Sequence, residues 1–376
     1  MSVNPDVIVV GLGVMGSSAA YQLVQRGQKV LAIDAFEPGH ARGSSHGESR
    51  IIRQAYHEAP DYVPLIWRAY DQWRELESES GASLLFVNGG LIVGAPDGRT
   101  VQGTMRSGEL YGLPYEPLSA REVGRSYPGV TLPDELMAVL DPNAGYLLAS
   151  KAVKVFQDLA KQHGAKLRFA EPVTRWEVDG GGVRVETNHE TWRADRLVLA
   201  AGPWSGQFLA EIGLPLTVQR VANAHFQSTR QDLFDGSHAP IFSMLIPEGH
   251  FYAIPGSKDI GFKIGRHDNL QTVAPDDVAQ PVSDDEIAMF QQVLDTYLPG
   301  AGGPVISTLT CLYTMTPDKH FIIDQHPKHE QVAIACGFSG HGFKFAPVIG
   351  EVLADLVIDG DTRHPIGFLR TGRFLP

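Results

Sequence analysis

The feature that most constrains the fold is a short apolar run that leads through a glycine turn into a helix-forming segment. Residues 6–10 are mostly apolar and β-branched, as expected of a strand buried on both faces, and residues 17–26 have helical spacing. Between them lies a turn with Gly11, Gly13 and Gly16. The first glycine permits the tight bend, the second lets a pyrophosphate approach the backbone, and the third allows close helix packing. The helix N-terminus can then hold phosphate charge.

An acidic residue at the end of the next strand-like run strengthens this interpretation. Residues 29–33 are predicted to form a second strand, and Asp34 follows at a spacing that suits a carboxylate accepting ribose hydroxyl hydrogen bonds. Val14 and Met15, inside the turn, are expected to contact the same ligand. A lone glycine motif could be a structural turn. Because strand, helix and acidic terminus are all present, the sequence predicts an adenine dinucleotide site.

Composition excludes several classes of protein. The 376 residues, 43% of them hydrophobic, are enough for one large unit or two interleaved domains. The formal net charge of -12 disfavours nucleic acid binding, which relies on a basic surface. No apolar run is long enough to span a bilayer, and residues 1–5 lack the basic region of a secretory signal. Two cysteines provide no disulfide framework. We therefore expect a cytoplasmic protein without nucleic acid or membrane partners.

Later segments return to the composition of the first, which predicts a discontinuous nucleotide domain. Residues 196–201 resemble a buried strand and meet Gly202-Pro203-Trp204, a second sharp change from strand to loop. Helices are predicted at 151–163 and at 348–357, the second beginning beside Pro347. These segments are expected to rejoin the opening unit.

The middle of the chain has a different pattern, in which strand-like runs alternate with a predicted helix at 284–297. We therefore predict an α/β fold in which a Rossmann-like dinucleotide-binding domain is interleaved with a mixed-sheet α+β substrate domain. The first domain is predicted to comprise residues 1–80, 150–215 and 320–376, and the second residues 81–149 and 216–319.

Cationic residues occur in three groups that lie far apart in the sequence. The groups are Arg50 with Arg53, Lys263 with Arg266 and His267, and Lys344 alone. If folding brings them together, they form a positive pocket in an acidic protein. The alternative is that each side chain is solvated or paired with an acid, and this alternative is favoured for Arg266.

Four further motifs are ordered along nearly the whole chain. They are GSSHGESRIIR at 43–53, CLYTMTPD at 311–318, FIID at 321–324 and GFSGHGFK at 337–344. Together they resemble the monomeric sarcosine oxidase family, which includes N-methyltryptophan oxidase and the peroxisomal sarcosine/pipecolate oxidases. Their order is far more specific than the nucleotide motif alone.

The resemblance implies that the dinucleotide is FAD, attached through a cysteine thioether to the 8α-methyl carbon of the flavin. Cys311 stands at the matching position, and a thiolate supplies the nucleophile that this bond requires. Cys336 is the competing choice, but it lies in the apolar run 332–336, where an inert buried thiol is expected. Covalent FAD at Cys311 is the expectation.

The resemblance also implies roles for the cationic residues. It places Arg53 and Lys344 on the substrate carboxylate, which suits a forked guanidinium and a compact ammonium. Arg50 matches a catalytic cation beside the flavin. Lys263 matches a lysine that assists oxygen activation near flavin N5, where positive charge stabilises superoxide or peroxide.

Two further residues match the family's pocket. Tyr252 and His267 are expected to orient the substrate amine and tune its proton balance, as catalytic and substrate-binding residues. For Tyr252 a packed aromatic on a strand is the alternative, and His46 could equally be structural. The residues expected to contact the cofactor are Gly11, Gly13, Val14, Met15, Gly16, Asp34, Ser44, His46, Ser49, Arg50, Val173, Gly202, Trp204, Cys311, Gly340, Gly342, Phe343 and Lys344.

The reaction implied by the resemblance is oxidation of a secondary amine next to a carboxylate. The amine gives two electrons and a hydrogen to the flavin, the imine hydrolyses, and oxygen reoxidises the cofactor to yield hydrogen peroxide. Sarcosine is the first expectation, and N-methyltryptophan, pipecolate and other cyclic or N-substituted amino acids are alternatives. A monomer is the family expectation. No metal is expected, because His46, His250, His267 and His341 lack ligand spacing.

Three other classes stay open at this point. An NAD-dependent dehydrogenase shares the opening motif but leaves Cys311 and the run at 337–344 unexplained. A non-catalytic FAD-binding protein leaves the cationic residues without a shared purpose. A flavin dehydrogenase that passes electrons to a partner is the closest chemical alternative, and Lys263 is the feature that favours oxygen.

Overall fold

The structure combines parallel and antiparallel sheets with helices packed against them. It is a computed structural model that describes residues 4–236, 239–268, 270–277 and 280–375. The strands are β1 (Val7–Val10), β2 (Val30–Ile33), β3 (Ser49–Ile52), β4 (Leu85–Val87), β5 (Gly90–Gly94), β6 (Glu116–Ser119), β7 (Met137–Asp141), β8 (Gly145–Leu148), β9 (Lys166–Arg168), β10 (Val173–Asp179), β11 (Gly182–Thr187), β12 (Thr191–Ala194), β13 (Arg196–Leu199), β14 (Thr217–Phe226), β15 (Ile241–Ile246), β16 (Gly249–Ile254), β17 (Phe262–Arg266), β18 (Gln271–Thr272), β19 (Val305–Met315), β20 (Ile322–His326) and β21 (His329–Cys336). The α-helices are α1 (Val14–Gln25), α2 (Val63–Ser80), α3 (Arg99–Tyr111), α4 (Ala120–Ser126), α5 (Ala149–Gln162), α6 (Ser205–Phe208), α7 (Gln231–Phe234), α8 (Asp284–Tyr297) and α9 (Ala346–Ile358).

A six-stranded sheet contains the opening motif. Its order is β20-β21-β13-β1-β2-β9, with β20 antiparallel to β21 and the other neighbours parallel. Every residue of β1 and β2 is buried, as the β-branched composition predicts. Helix α1 packs against α5 and α9 beside this sheet. The turn from β1 to α1 lies at the carboxyl ends of parallel strands, which is where open α/β sheets bind their ligands.

A nine-stranded mixed sheet forms the second large layer. Its order is β18-β14-β17-β16-β15-β5-β7-β6, and β19 pairs with β14 along almost the full length of both strands. Only the β15–β5 pair of this sheet is parallel. The pairing places Cys311 opposite Val221 and Lys263 opposite His225, so one strand, β14, links two residues from distant parts of the sequence.

Two three-stranded sheets complete the described structure, in the orders β3-β8-β4 and β10-β11-β12. Strand β3 carries Arg50 and pairs with β8, which brings the 43–53 motif against a segment almost a hundred residues later. The six-stranded sheet draws its strands from residues 7–33, 166–168, 196–199 and 322–336. The division into two domains at the predicted boundaries stays a prediction.

Most predicted helices agree with the structure to within a few residues. The helix predicted at 284–297 is α8, and the one predicted at 151–163 is α5. The first helix begins at Val14 rather than residue 17, because the turn ends at Gly13. The last begins at Ala346, since Pro347 is tolerated in the first turn of a helix. Among the described helices, none has the length and apolar character that crossing a bilayer requires.

Candidate active site

A single cleft of about 1010 Å³ extends from the β1–α1 turn to the nine-stranded sheet. Its walls contain residues from all three groups of cations and from the nucleotide motif. Of the residues that the sequence predicted to contact cofactor or substrate, all except Gly16 and Lys263 line it. The fold therefore brings together residues that are more than 300 positions apart, such as Gly11 and Lys344. Gly16 and Lys263 lie behind the wall.

The glycine turn has the close packing that its motif predicts. Gly11 has a φ of +95°, and a Cβ there would lie 2.4 Å from the carbonyl oxygen of Ala200 on the neighbouring strand's end. A Cβ on Gly16 would lie 1.8 Å from the carbonyl oxygen of Gly11. Gly16 therefore lets α1 pack against the turn; it does not itself line the cleft, and its contact with the cofactor stays a prediction for its backbone amide.

The N-terminus of α1 offers donors to an anion. The Val14 amide donates to Ser45 Oγ at 3.0 Å, while the amides of Met15 and Gly16 have no acceptor among the described residues. Unpaired amides in the first helical turn are the usual contacts of a bound phosphate. The residues present at this end of the cleft thus fit a pyrophosphate.

Asp34 has a structural task as well as a place in the cleft wall. Its Oδ2 accepts the Leu12 amide at 2.6 Å and its Oδ1 accepts the Phe36 amide at 2.9 Å. A carboxylate has about four acceptor positions, so two remain for ribose hydroxyls. Asp34 thereby holds the glycine turn in place while it faces the ligand, a double role that spacing alone did not indicate.

The walls around Trp204 close the same end of the cleft. Trp204 donates its indole N–H to Asp276 Oδ1 at 2.9 Å, and its ring packs on Phe36 with centroids 5.1 Å apart. Gly202, at a φ of +54°, has open space where a Cβ would be, and Val173 at the start of β10 also lines the cleft. These residues lie where an adenosine moiety can be enclosed by apolar and aromatic side chains.

The two cysteines occupy different environments. Cys311 on β19 lines the cleft, whereas Cys336 on β21 packs among the apolar residues of the six-stranded sheet and does not reach it. Burial raises the pKa of the Cys336 thiol to about 12. The geometry therefore leaves Cys311 as the cysteine within reach of a ligand in the cleft.

The loop before β3 is fastened to β19 on both sides of Cys311. The Ser44 hydroxyl donates to the Leu312 carbonyl at 2.5 Å, and His46 Nε2 donates to the Thr310 carbonyl at 2.8 Å. Burial lowers the pKa of His46 to about 4, so this imidazole is neutral at pH 7. His46 thus has a structural role while it also lines the cleft.

Arg50 organises the same loop. Its guanidinium donates to the carbonyls of Ser49, Ser44 and His46 at 2.9, 3.0 and 2.7 Å and lies 5.8 Å from the centroid of the Phe343 ring. Phe343 belongs to the closing glycine-rich motif, in which Gly340 and Gly342 also line the cleft. Arg50 therefore joins the first and last motifs of the sequence at one wall.

Lys263 lies directly behind that wall. Its side chain is buried, and its ammonium donates to the Ser49 carbonyl at 3.0 Å. Burial, assisted by the charge of Arg50, lowers the pKa of Lys263 to about 7. Ser49 lines the cleft, so Lys263 is separated from it by the backbone of one residue.

The cleft wall also contains an acid, Glu58, that was not expected from the sequence. Both carboxylate oxygens of Glu58 accept hydrogen bonds from Arg53, at 2.6 and 2.5 Å. Burial by itself raises the pKa of Glu58, but Arg53 and His57 outweigh it and hold the pKa well below its usual value. The positive pocket expected from the sequence therefore contains one carboxylate. Its position five residues after Arg53 was a signal that the sequence offered.

Lys344 completes this wall. Its ammonium donates to the His341 carbonyl at 2.7 Å, and burial together with Arg53 lowers its pKa to about 7. Both cations lie near the Tyr56 ring, with the Arg53 guanidinium 4.3 Å and the Lys344 ammonium 5.3 Å from its centroid. Two cations held on one aromatic ring form a site suited to a carboxylate.

A row of imidazoles forms the floor beside Glu58. The rings of His57 and His250 have centroids 6.0 Å apart, and those of His250 and His267 are 5.0 Å apart. His267 Nδ1 lies 3.3 Å from the Tyr313 hydroxyl. Burial lowers the pKa of His250 to about 4 and lowers the pKa of His57 and His267 well below the usual value. The floor is therefore uncharged at neutral pH.

Two tyrosines of this region pack against glycines. A Cβ on Gly265 would lie 2.4 Å from the Tyr252 hydroxyl, and one on Gly340 would lie 2.4 Å from the Tyr313 ring. Tyr252 faces the cleft from β16, and burial raises its pKa. Tyr252 packs on the sheet and also lines the cleft, so it is more than a packed aromatic on a strand. Arg266, by contrast, pairs with Asp268 at 2.9 Å, as its favoured alternative predicted.

The sequence is similar to that of known flavin-dependent enzymes over nearly its whole length. The sequence matches the model of the FAD dependent oxidoreductase family over residues 6–356. The chain belongs to this family. It is 41% identical to the monomeric sarcosine oxidase of Streptomyces avermitilis over 98% of this chain and 97% of that protein. It is 36% identical to the N-methyl-L-tryptophan oxidase of Yersinia pestis over 98% of this chain and 99% of that protein. The resemblance seen in the four motifs is thus confirmed.

The fold of this FAD-dependent oxidoreductase is also that of a solved amino acid oxidase. NikD, an unusual amino acid oxidase essential for nikkomycin biosynthesis, superposes with a TM-score of 0.87 over 98% of both chains, at 26% identity. The predicted α/β fold and the FAD dependence are therefore confirmed. The NAD-dependent and non-catalytic alternatives are excluded, since neither belongs to a family of FAD oxidoreductases.

Proposed function

We propose that this protein is an FAD-dependent oxidase of secondary amino acids that produces an imine and hydrogen peroxide. Sarcosine is the first candidate substrate, and N-methyltryptophan, pipecolate and other N-substituted or cyclic amino acids are the alternatives. The observation that carries the proposal is the position of Arg53 and Lys344 in the same cleft as Cys311 and the β1–α1 turn. The identity to sarcosine and N-methyltryptophan oxidases supports the same substrate class.

The substrate carboxylate binds Arg53 and Lys344. Because Glu58 already occupies the Arg53 guanidinium, the incoming carboxylate competes with it for the same donors. A monoanionic substrate therefore replaces one carboxylate with another and leaves the charge balance at Arg53 unchanged. An amine without a carboxylate gains nothing from these cations, so it is a poor substrate.

The amine is held on the uncharged floor of the cleft. Burial there, which also holds the pKa of His267 well below its usual value, favours the neutral amine over the ammonium form, because desolvation disfavours the charged form of an amine. Neutral His267 can then accept a hydrogen bond from the amine N–H. Tyr252 and Tyr313 both line the cleft, and in this proposal they orient the reacting carbon.

Different chemical groups of the cleft would hold the different parts of FAD. The amides of Met15 and Gly16 would contact the pyrophosphate, Asp34 the ribose, and Cys311 would form the thioether to the 8α-methyl carbon. Bound FAD would accept two electrons from the amine and pass them to oxygen, which becomes hydrogen peroxide. Lys263 lies behind the backbone of Ser49, which lines the cleft. From there its positive charge stabilises the oxygen that is being reduced. We propose a cytoplasmic monomer that keeps the two-domain division predicted from the sequence.

Anaerobic addition of sarcosine to the purified yellow protein tests the proposal. The flavin absorbance is expected to bleach with sarcosine and to return, with one hydrogen peroxide per turnover, when oxygen is admitted. Dimethylamine, which lacks the carboxylate, is the matched control and should not bleach the flavin. Bleaching by neither sarcosine nor any other secondary amino acid would remove the function. Bleaching without peroxide formation would indicate a dehydrogenase with another acceptor.

A further inference from the structure

Two histidines and a glutamate cluster outside the cleft, at the turn between β20 and β21. His326 ends β20, His329 begins β21, and Glu211 comes from a short 3-10 helix at Ala210–Ile212. His326 Nε2 lies 3.1 Å from Glu211 Oε1, and His329 Nε2 lies 3.4 Å from the same atom. One ligand atom from each residue lies within 4.8 Å of the other two. The three do not line the cleft.

Two of the three separations, those from Glu211 Oε1 to each imidazole, match those of a coordination shell. In a tetrahedral zinc site with ligand distances of about 2.0–2.1 Å, neighbouring ligand atoms are roughly 3.3 Å apart. The two measured distances, 3.1 and 3.4 Å, lie on either side of that value. Two imidazoles and one carboxylate are also a ligand set that zinc binds in proteins, with water in the fourth position.

An independent observation concerns the partner of His326. Its side chain is completely buried, yet its Nε2 has no hydrogen-bond partner, because the short contact with Glu211 lacks hydrogen-bond alignment. Buried polar atoms are normally paired with a protein group or with an unseen ligand. A metal between the two residues would satisfy this atom without requiring that alignment.

The two imidazoles are held before any ion arrives. Their rings stack with centroids 4.8 Å apart and an interplanar angle of 17°, and the Trp176 ring meets both edge-on at 5.5 and 5.8 Å. Ring planes fixed by packing reduce the entropy lost on coordination. The stacking of the two imidazoles and their contact with Trp176 therefore favour one orientation of the ligands.

We propose that Glu211, His326 and His329 bind a divalent transition metal ion, for which zinc is the best match. The ion joins the β20–β21 turn to the segment that follows β13. This turn is at the amino-terminal end of β21, whereas the β1–α1 turn lies at the carboxyl ends of the parallel strands. This is a structural site, independent of the oxidase function.

Lys328 opposes binding in two ways. Its ammonium lies 3.9 Å from Glu211 Oε2 and donates to the Glu211 carbonyl at 3.1 Å, and its amide donates to His326 Nδ1 at 3.3 Å. Coordination through Nε2 moves the imidazole proton to Nδ1, so the amide contact is lost. That contact is longer than an ordinary N–H hydrogen bond, so its loss costs little free energy. The ammonium is half exposed and free to turn away.

Zinc binding to the flavin-loaded enzyme tests the proposal. The wild-type protein, dialysed against zinc and then against buffer, is expected to retain one zinc per chain by elemental analysis and to unfold at a higher temperature with zinc than without. Glu211→Gln and His329→Gln should each weaken zinc affinity by at least about tenfold, since loss of even an outer-shell partner costs that much and these variants remove direct ligands. Lys328→Gln should strengthen it, since a competing cation is removed.

His189→Gln is the matched control, because His189 is exposed in the β11–β12 turn and lies outside the cluster. This variant should bind zinc as the wild type does. Unchanged far-ultraviolet circular dichroism and unchanged amine oxidation in all four variants would show that they are folded. Absence of retained zinc in the wild type would overturn the proposal, and so would equal retention by His329→Gln, Glu211→Gln and the control.

Discussion

Arg53 and Glu58 form an ion pair in the wall of the cleft, in which Nη2 of Arg53 lies 2.6 and 2.5 Å from the two carboxylate oxygens of Glu58. The pair occupies the position where the proposed function requires a substrate carboxylate. Because Arg53 is almost completely buried, it needs an anion in every state of the enzyme. Glu58 therefore neutralises the charge of the Arg53 guanidinium until substrate binds, and it competes with the substrate carboxylate for that guanidinium.

Glu58→Gln is expected to tighten the binding of simple carboxylates. The amide keeps a hydrogen bond to Arg53 but removes the competing charge, and a charge-assisted bond is worth about 1.5–3 kcal/mol. We expect the Kd for acetate, followed through the flavin spectrum, to fall by about tenfold. The melting temperature should fall as well, since a buried cation loses its partner. Asp61→Asn, an exposed acid nearby, should leave both quantities unchanged, and weaker acetate binding by the Glu58 variant would contradict the competition.

Arg53→Gln is expected to lower kcat/KM for sarcosine by about a hundredfold, because a buried charge-assisted contact to the carboxylate is lost. Steady-state peroxide production measures the effect. Arg266→Gln is the control, since Arg266 pairs with Asp268 and does not line the cleft. A similar loss in both variants would indicate a general effect on folding instead of a specific contact.

Lys263→Met is expected to slow flavin reoxidation while leaving reduction by substrate largely unchanged. The pKa of Lys263 is about 7, so the ammonium is present below that pH and is lost as pH rises through it. In the wild type, the reoxidation rate constant from stopped-flow mixing with oxygen should therefore fall as pH rises through about 7. The variant should show a low rate without this pH dependence. An equally fast reoxidation in the variant would remove the assignment.

Cys311→Ala is expected to release the flavin. Acid precipitation of the wild type should leave the yellow colour in the pellet, and precipitation of the variant should move it to the supernatant. Cys336→Ala, which removes the thiol that is buried in the six-stranded sheet, should behave like the wild type. Colour in the supernatant of the wild type would show that FAD is not covalently bound.

Gly265→Ala is expected to disturb Tyr252 without touching the cofactor. The new Cβ would lie 2.4 Å from the tyrosine hydroxyl and 2.6 Å from Cζ, and such overpacking costs about 1–3 kcal/mol. We expect KM for sarcosine to rise while the flavin spectrum is retained. Gly206→Ala, where a Cβ meets nothing within 4 Å, is the control. An unchanged KM in the Gly265 variant would show that the position of Tyr252 does not matter to the substrate.

The nucleotide end of the site was predictable because its determinants are local. The β1–α1 turn, its glycines and Asp34 lie within 28 consecutive residues, and their backbone requirements follow from residue type. The helix at Asp284–Tyr297 was predictable for the same reason, because Ser283 and Glu286 form a capping box at its start.

The substrate end was predictable only through the resemblance to a family. The motifs identified Arg53 and Lys344, but they did not indicate that Glu58 pairs with Arg53 or that His57 and His250 line the floor. Where each side chain lies in the cleft depends on pairings between strands that are distant in the sequence, such as β14 with β19, where Val221 pairs with Cys311.

The sequence by itself determined the chemistry available to this protein: a dinucleotide turn, one cysteine suited to flavin attachment and a set of cations. Tertiary structure decided which of those groups meet and in what protonation state. Burial lowers the pKa of Lys263 and Lys344 to about 7 and that of His250 to about 4. These shifts arise from desolvation and from neighbouring charges, which exist only once distant segments have packed together.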